Sequence, residues 1–455
     1  MSRTNPVHTS RSVCLKLLAF SFLLLSIAAL AQSQTPKSSS AEARLGSRLF
    51  HDDRFSSPSG DLMNSCSSCH LFDEDPQGIR ARADFFSRSW VPFRMEDPRR
   101  DALRNAPQIF DAALMPKLHF DGEFDSLEDL VRGTLSGRPM GWLEGEQARA
   151  FDRVRQVVLG DTATSDRASY RSQFSSVYSV SVDDLSRAEV IDLVAKAISA
   201  YIRPMRSERS TPYDHFIAAN KLDSAPIASE SAGEFGDRML ARIAALEASR
   251  DIKLPAGFDA SALKGLKTFL TTSGASSAGN CVACHAPPLF TDFSFHNIGI
   301  SQSEYDQVHG EGTFAKLSVP AAGKAVRPSP QFRETPVTRK PGWADLGHWN
   351  FADLSKSPLK KANESDERFL QRMIGTFKTP SLRNLDFSPP YMHTGGFSTI
   401  ESALTELMRL SEMARGGRVR EADEGLAKIR ISDADIATLA AFLKTLNEDL
   451  KPERR

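Results

Sequence analysis

Two Cys-x-x-Cys-His motifs constrain the fold of this chain more than any other feature, one ending at His70 and the other at His285. Two thiols three residues apart lie on one face of a helical turn, where each can form a thioether with a vinyl group of haem. The histidine that follows can then bind the haem iron from the proximal side. We therefore predict two covalent c-type haems. The predicted attachment sites are Cys66, Cys69, Cys281 and Cys284, and the predicted iron ligands are His70 and His285.

A zinc site with four cysteine ligands, or a redox-active dithiol, would use the same cysteine pairs. The chain has five cysteines, and the fifth, Cys14, lies in an N-terminal segment that we expect to be removed. All four remaining cysteines fall in the two motifs, and a disulfide would not require the histidine that follows each pair. The pattern favours haem.

The N-terminal segment has the layout of a secretory signal peptide. Basic residues precede an apolar run, residues 17–30, and small residues lead up to Ala31. The alternative is an uncleaved anchor, but the run is short for a membrane span of about 20 residues. We expect cleavage after Ala31, export to the periplasm, a polar disordered tether at residues 32–40, and no membrane span in the mature chain.

Composition places the rest of the chain among ordinary globular proteins. Its 455 residues are long for one domain, 40% of them are hydrophobic, and the formal net charge is zero. A nucleic-acid partner usually needs a concentrated basic surface. We therefore expect no nucleic-acid binding.

The surroundings of the two motifs repeat, which indicates two copies of one unit. Gly46–Phe50 precedes the first motif and Gly265–Phe269 the second, each at the end of an amphipathic helical stretch, residues 41–50 and 261–270. We predict a mainly α fold of two cytochrome c-like helical domains, residues 41–205 and 206–455. The second domain would carry an insertion at about 223–258.

Each domain should close with a helix that lies against its first helix. Residues 188–202 have helical periodicity, and Ser432 with Asp435 forms a capping box ahead of residues 436–446. Residues 319–341 are rich in Pro, Lys and Arg and predict an irregular loop. Little in the sequence favours strands.

Several segments resemble the bacterial di-haem cytochrome c peroxidases and their relative MauG, which oxidises a partner protein. The resemblance covers nearly the whole mature chain. Its segments are Arg104-Asn105-Ala106-Pro107, Phe120-Asp121-Gly122, Phe295-His296-Asn297, the run from Phe377 to Asn384, and the run from Pro390 to Gly395. The resemblance implies that the C-terminal haem accepts electrons while the N-terminal haem binds and cleaves peroxide. It also implies a calcium ion at Asn105, Ser388 and Pro390, which all offer oxygen.

Two positions depart from the family pattern in ways that affect function. Phe120 stands where the family has a tryptophan between the haems, and a phenyl ring cannot hold a radical as indole can. The family's peroxide-cleaving glutamate falls near Pro139 or Met140, which cannot move a proton. Glu144 is the candidate that could replace it, with Glu146 nearby.

The sixth ligands of both irons also follow from the resemblance. For the C-terminal haem the aligned position is not a ligand, so Met408 is the candidate and Met413 the alternative, unless both are core residues. In many relatives a histidine blocks the N-terminal haem. No histidine occurs between Leu71 and Leu118 here, so we expect an open site, with Met95 or His119 as the other candidates.

These features lead to one leading function and one alternative. The leading function is a periplasmic peroxidase that takes electrons from a small cytochrome or cupredoxin to reduce hydrogen peroxide, or a MauG-like oxidase of a protein substrate. The alternative is a di-haem electron carrier or redox sensor without enzymatic activity. The missing glutamate and tryptophan favour the alternative.

Overall fold

A computed structural model describes residues 40–74, 80–83, 94–97, 104–272, 274, 277–319, 332–334 and 343–448. Residues Ala41–Arg455 form one compact unit. The predicted signal peptide at 1–31 and nearly all of the tether at 32–40 lie outside the described residues. Within the described ranges, no helix combines the length and the apolar character that a membrane crossing needs.

Helices dominate the described residues, so the predicted fold class is confirmed. The α-helices are α1 (Ala41–Phe50), α2 (Leu127–Leu135), α3 (Gln147–Gly160), α4 (Tyr170–Tyr178), α5 (Arg187–Ile202), α6 (Pro212–Ala219), α7 (Ala232–Ser249), α8 (Ala260–Leu270), α9 (Ile300–His309), α10 (Asp366–Met373), α11 (Ile400–Arg415), α12 (Glu424–Lys428) and α13 (Asp433–Lys444).

Short strands occur between the helices, which the sequence reading did not expect. The pairs are antiparallel: β1 (Leu71–Glu74) with β2 (Arg80–Ala83), β3 (Phe295–His296) with β6 (Phe377–Lys378), and β4 (Phe332–Glu334) with β5 (Trp343–Asp345). Strands this short carry no readable alternation of polar and apolar residues, so periodicity could not reveal them. Of the predicted loop at 319–341, the described part is Val319 and β4.

The first half closes as predicted, with α5 packed against α1. The two helices cross at Gly46, where a Cβ atom would overlap the carbonyl oxygen of Ala197. Ser186 and Glu189 form a capping box that fixes the start of α5. The apolar faces of α1 and α5 enter one core cluster with α2, α3 and α4.

The second half repeats this arrangement, with α13 packed against α8. Here Gly265 occupies the crossing point, and a Cβ atom would overlap the carbonyl oxygen of Thr438. The predicted capping box of Ser432 and Asp435 is present at the start of α13. In each half, therefore, the two helices can approach closely because the glycine at their crossing point has no side chain.

The segment predicted as an insertion contributes helix α7 to the second core. Phe235, Met239 and Ile243 on this helix are fully buried in the same cluster as α8 and α13. The segment is thus part of the packing of the second half. The domain boundary at 205/206 stays a prediction.

A buried ion network joins residues from the two halves. Arg104 donates to both oxygens of Asp345 at 2.7 Å and to Asp121 at 2.6 Å. All three side chains are almost fully buried, so removing one partner would leave an uncompensated charge. The backbone amide of Lys378 also donates to the carbonyl of Phe120 at 2.7 Å. These contacts hold the segment around Phe120 against the C-terminal half.

Candidate haem sites

The two Cys-x-x-Cys-His motifs adopt the same local structure. Cys66–Ser68 and Cys281–Ala283 are each a 3-10 turn. The amide of His70 then donates to the carbonyl of Cys66 at 3.0 Å, and the amide of His285 donates to Cys281 at 2.8 Å. The turn brings the two thiols of each motif to one side, which is the arrangement that attachment to a single haem requires.

The first motif lines an apolar cavity that is open to solvent at its mouth. Cys66, Cys69 and His70 are all on its wall. Much of the apolar lining comes from α2 (Leu127, Leu130, Val131), α5 (Ile198, Ile202) and the segment from Ala106 to Leu118. A large apolar cavity with two thiols and an imidazole at its wall fits a covalently attached haem.

The alternative of a zinc site or reactive dithiol does not fit the described residues. Burial, with a smaller effect from the neighbouring cysteine, raises the pKa of the Cys66 and Cys281 thiols to about 12. Reactive cysteines are thiolates, which such burial disfavours. Among the described residues, no metal-ligating cluster contains both cysteine pairs, as a four-cysteine site would require.

The second motif shows how its imidazole would be oriented. Nδ1 of His285 lies 2.8 Å from the carbonyl oxygen of Phe290 and donates to it. This contact fixes the tautomer and leaves Nε2 as the nitrogen for a metal, the arrangement that iron-ligating histidines usually adopt. Burial lowers the pKa of His285, which keeps the ring neutral as a ligand must be.

Phe120 lies where the first site meets the C-terminal half. Its side chain is on the cavity wall, next to Lys378. Its ring centroid is 6.4 Å from that of the buried His393, which stacks on Phe377 at 3.5 Å. An aromatic side chain therefore stands between the first cavity and His393 of the C-terminal half, and its place between two haems stays a prediction.

The positions that match the family's glutamate line the cavity, but the carboxylates proposed to replace it do not. Pro139 and Met140 line the cavity, whereas Glu144 is exposed and Glu146 forms ion pairs with Arg94 at 2.5 Å and Arg149 at 2.7 Å. Within the described part of the chain, the cavity lining contains no carboxylate. The structure does not bring Glu144 to the cavity, and its acid–base role stays a prediction.

His119, considered from the sequence only as a sixth ligand, lies on the cavity wall. His119 lines the cavity, and its Nδ1 is 3.1 Å from a carboxylate oxygen of Glu123. Lys378 lines it as well, and burial lowers the pKa of its amine to about 8. The spacing of His119 and Glu123 by four residues was the available signal, but it does not reveal which way the side chains face.

The two methionine candidates lie in different clusters. Met408 packs against the core that contains α8 and α13, beside which Cys281 also packs. Met413 is buried in a separate cluster with Ile300 and Leu410, and Arg409 donates to its sulfur at 2.9 Å. This placement supports Met408 over Met413 as the sixth ligand, although the ligation itself stays a prediction. Met95, the methionine considered as a sixth ligand of the N-terminal haem, is 73% exposed.

Of the three residues of the predicted calcium site, Asn105 and Pro390 are in contact. The Asn105 amide nitrogen is 2.5 Å from the carbonyl oxygen of Pro390 and 3.3 Å from that of Met392, and its Oδ1 is buried without a hydrogen-bond partner. The side-chain hydroxyl of Ser388 instead donates to Leu385 at 3.5 Å.

Comparison with known proteins agrees with these features. Residues 40–222 match the family described as di-haem cytochrome c peroxidase. The cytochrome-c peroxidase IdrP1 of Denitromonas iodatirespirans is 23% identical over 412 residues, which cover 89% of this chain and 80% of the relative. The methylamine utilization protein MauG of Paracoccus denitrificans is also 23% identical, over 96% of this chain and 95% of the relative.

Solved structures show the same fold. The diheme peroxidase BthA from Burkholderia thailandensis superposes with a TM-score of 0.54 and 21% identity, covering 92% of this chain and 88% of that one. A MauG-like protein associated with microbial copper homeostasis gives a TM-score of 0.51 and 21% identity, covering 92% and 94%. Taken with the two motifs, these matches show that residues 40–222 fit the di-haem cytochrome c peroxidase family and that the whole chain is similar to cytochrome-c peroxidases and to MauG.

Proposed function

We propose that this chain is an exported di-haem peroxidase that uses electrons from a small cytochrome or cupredoxin to reduce hydrogen peroxide. The other form of this proposal is that the chain oxidises a protein substrate, as the resemblance to MauG implies. The observation that carries the proposal is the cavity at Cys66, Cys69 and His70, which is open at its mouth and lined by apolar side chains. Such a site admits a small ligand and excludes most water.

The residues of the two motifs would hold the haems. Cys66 and Cys69 would attach the first, and Cys281 and Cys284 the second. His70 and His285 would bind the irons, with the carbonyl of Phe290 orienting His285. Bound haem would supply the electron transfer and peroxide chemistry. Met408 would complete the second site, and Phe120 would lie between the two.

The chain must also supply a group that moves a proton at the first site. His119 is the better-placed candidate because it lines the cavity while Glu123 holds its Nδ1. That contact leaves Nε2 as the nitrogen that would exchange a proton. Glu144, the candidate from the sequence, would have to approach the cavity from an exposed loop.

Calcium remains part of the proposal because of Asn105. Amide oxygen and nitrogen are assigned from their surroundings, and the present assignment leaves a buried oxygen unpaired. With the two atoms exchanged, Oδ1 would meet the carbonyl oxygens of Pro390 and Met392, and three converging oxygens require a cation. Metal analysis of the purified protein and of Asn105→Ala tests this site, and an equal calcium content in both would contradict it.

The second candidate function is a di-haem electron carrier or redox sensor. It is favoured by the lack of a carboxylate among the described residues of the cavity wall. Steady-state consumption of peroxide with a reduced small cytochrome or cupredoxin separates the two functions. Turnover supports the peroxidase, and fully reversible oxidation and reduction without peroxide consumption supports the carrier.

The experiment that tests the haem assignment is a count of covalent haems. We expect two haems per chain by pyridine haemochrome assay and haem-stained denaturing gels. Cys66→Ala and Cys284→Ala should each lose one thioether and destabilise the haem of that motif alone, because each motif binds its own haem. One haem per unmodified chain would contradict the proposal. Export is tested separately by fractionating the cells that express the full chain.

A further inference from the structure

His296 is held between two carboxylates beside the second motif. It lies in β3, and its Nδ1 is 2.7 Å from Asp423 while its Nε2 is 2.7 Å from Asp292. Asp292 precedes β3 and Asp423 precedes α12, so the two carboxylates reach the ring from different segments. The His296 side chain is only 19% exposed. In the sequence, this histidine stands out only as part of the segment Phe295-His296-Asn297, and the peroxidase function gives it no role.

The contacts fix the charge of this cluster. An ionised carboxylate only accepts hydrogen bonds, so both ring nitrogens of His296 must donate, and only the protonated imidazole carries two N–H groups. Burial opposes this charge, but the bonds to Asp292 and Asp423 outweigh it and raise the pKa of His296 to about 12. The same bonds lower the pKa of both carboxyls against the effect of burial. The cluster therefore holds one positive and two negative charges at neutral pH.

The cluster lies at the position where the second haem would be attached. A ring nitrogen of His296, a carboxylate oxygen of Asp292 and the sulfur of Cys284 all lie within 4.8 Å of one another. A thioether at Cys284 would remove the thiol's own contribution to the charge of His296, but both carboxylates would remain. Binding of a metal ion here is disfavoured because both ring nitrogens already donate hydrogen bonds to the carboxylates.

We propose that Asp292, His296 and Asp423 form a charged cluster that sets the reduction potential of the C-terminal haem. This inference rests on the proposed function, which places a haem at Cys281 and Cys284. Reduction adds a negative charge to a haem, so a nearby cation favours the reduced form and nearby anions favour the oxidised form. His296 would raise the potential, and the two carboxylates would lower it. They act as positioning and electrostatic residues and not as iron ligands.

The test is a potentiometric titration of the haem-loaded protein, followed by absorption at wavelengths that distinguish the two haems. His296→Gln removes the cation and should lower the potential of the C-terminal haem. Asp423→Asn removes an anion, keeps the hydrogen-bonding shape, and should raise it. Neither variant should shift the N-terminal haem. Asp192→Asn, which removes an exposed carboxylate in the first half, should shift neither potential.

Opposite shifts distinguish an electrostatic role from a structural one, because loosening of the segment would move both variants in the same direction. Shifts of the same sign, or no shift in either variant, would overturn the role of the cluster while the haem count leaves the proposed function intact. Asp423→Asn also covers the case in which His296→Gln does not fold. A preparation without haem at the second motif would overturn both proposals.

Discussion

At the scale of single residues, the structure separates side chains that the sequence treated alike. Glu144 and His119 are both titratable residues near the family's active-site positions. His119 is on the cavity wall with Glu123 at 3.1 Å, and Glu144 is exposed. An exposed carboxylate is solvated in most proteins, whereas an imidazole on a cavity wall can donate to or accept from a bound ligand.

Paired variants test which residue moves the proton. We expect His119→Asn to lower peroxide turnover by about 100- to 10,000-fold, the usual contribution of general acid–base catalysis. Asparagine tolerates the left-handed backbone of this position, where φ is 62°. Glu144→Gln should leave turnover unchanged, and both variants should keep the absorption spectra of the two haems. The assignment to His119 is wrong if Glu144→Gln causes the larger loss.

At the scale of secondary-structure elements, the two helix-crossing glycines explain why similar segments precede the two Cys-x-x-Cys-His motifs. Gly46 in α1 and Gly265 in α8 each lie against a carbonyl oxygen of the helix that closes the unit. Close approach buries both helix faces, and each pair contributes to the core behind one haem site. A side chain larger than hydrogen cannot be accommodated there without separating the helices.

Alanine substitution at these glycines should destabilise the unit that contains it. We expect Gly46→Ala and Gly265→Ala each to lower the free energy of unfolding by about 1 to 3 kcal/mol, as overpacked cores do. The matched control is Gly160→Ala at the end of α3, where a Cβ atom meets nothing within 4 Å. That change should raise stability by about 0.4 to 1 kcal/mol. Chemical denaturation measures all three, and equal effects would contradict the crossing role.

At the scale of the whole molecule, buried ion pairs tie distant segments together. Asp214 at the start of α6 receives two hydrogen bonds from the buried Arg383, at 2.8 and 2.9 Å. Burial acts to raise the pKa of Asp214, but the bonds from Arg383 outweigh it, so the pKa lies below its usual value. A carboxyl with a lowered folded-state pKa stabilises the protein above its unfolded pKa of about 3.9.

This contribution should therefore be lost as the pH falls through the folded pKa of Asp214. Asp214→Asn should cost about 3 kcal/mol of unfolding free energy at pH 7, because it leaves the Arg383 charge without a counterion. The difference between the variant and the unmodified protein should shrink below about pH 4. Asp192→Asn, which removes an exposed ion pair with Arg132, should cost less than about 1 kcal/mol at any pH. A pH-independent effect of Asp214→Asn would contradict the assignment.

The arrangement of the whole molecule also bears on whether peroxide can bind directly to the iron of the first haem. No histidine lies between Leu71 and Leu118, and Met95 is exposed, so the described residues of that interval offer no clear sixth ligand. We expect the fully oxidised protein to give a high-spin ferric signal by electron paramagnetic resonance. It should also react with peroxide before any reductant is added. Two low-spin signals, with no reaction until one electron is supplied, would point to His119 or Met95 as a ligand.

The sequence by itself determined the features that depend on local spacing. The two motifs, the helix pairs with their glycines, and the capping box of α13 follow from residues a few positions apart, and short-range patterns record such geometry. The resemblance to di-haem cytochrome c peroxidases and the mainly helical fold could therefore be predicted from the chain alone.

Only the tertiary structure decided which distant side chains share a site. It placed His119 rather than Glu144 at the first cavity, grouped Met408 with the core near Cys281, and joined Asp292 and His296 to Asp423. These residues come from segments far apart in the chain or from positions whose orientation depends on packing. The physical reason is that side-chain direction and burial are set by the contacts of the folded core, which no local pattern encodes.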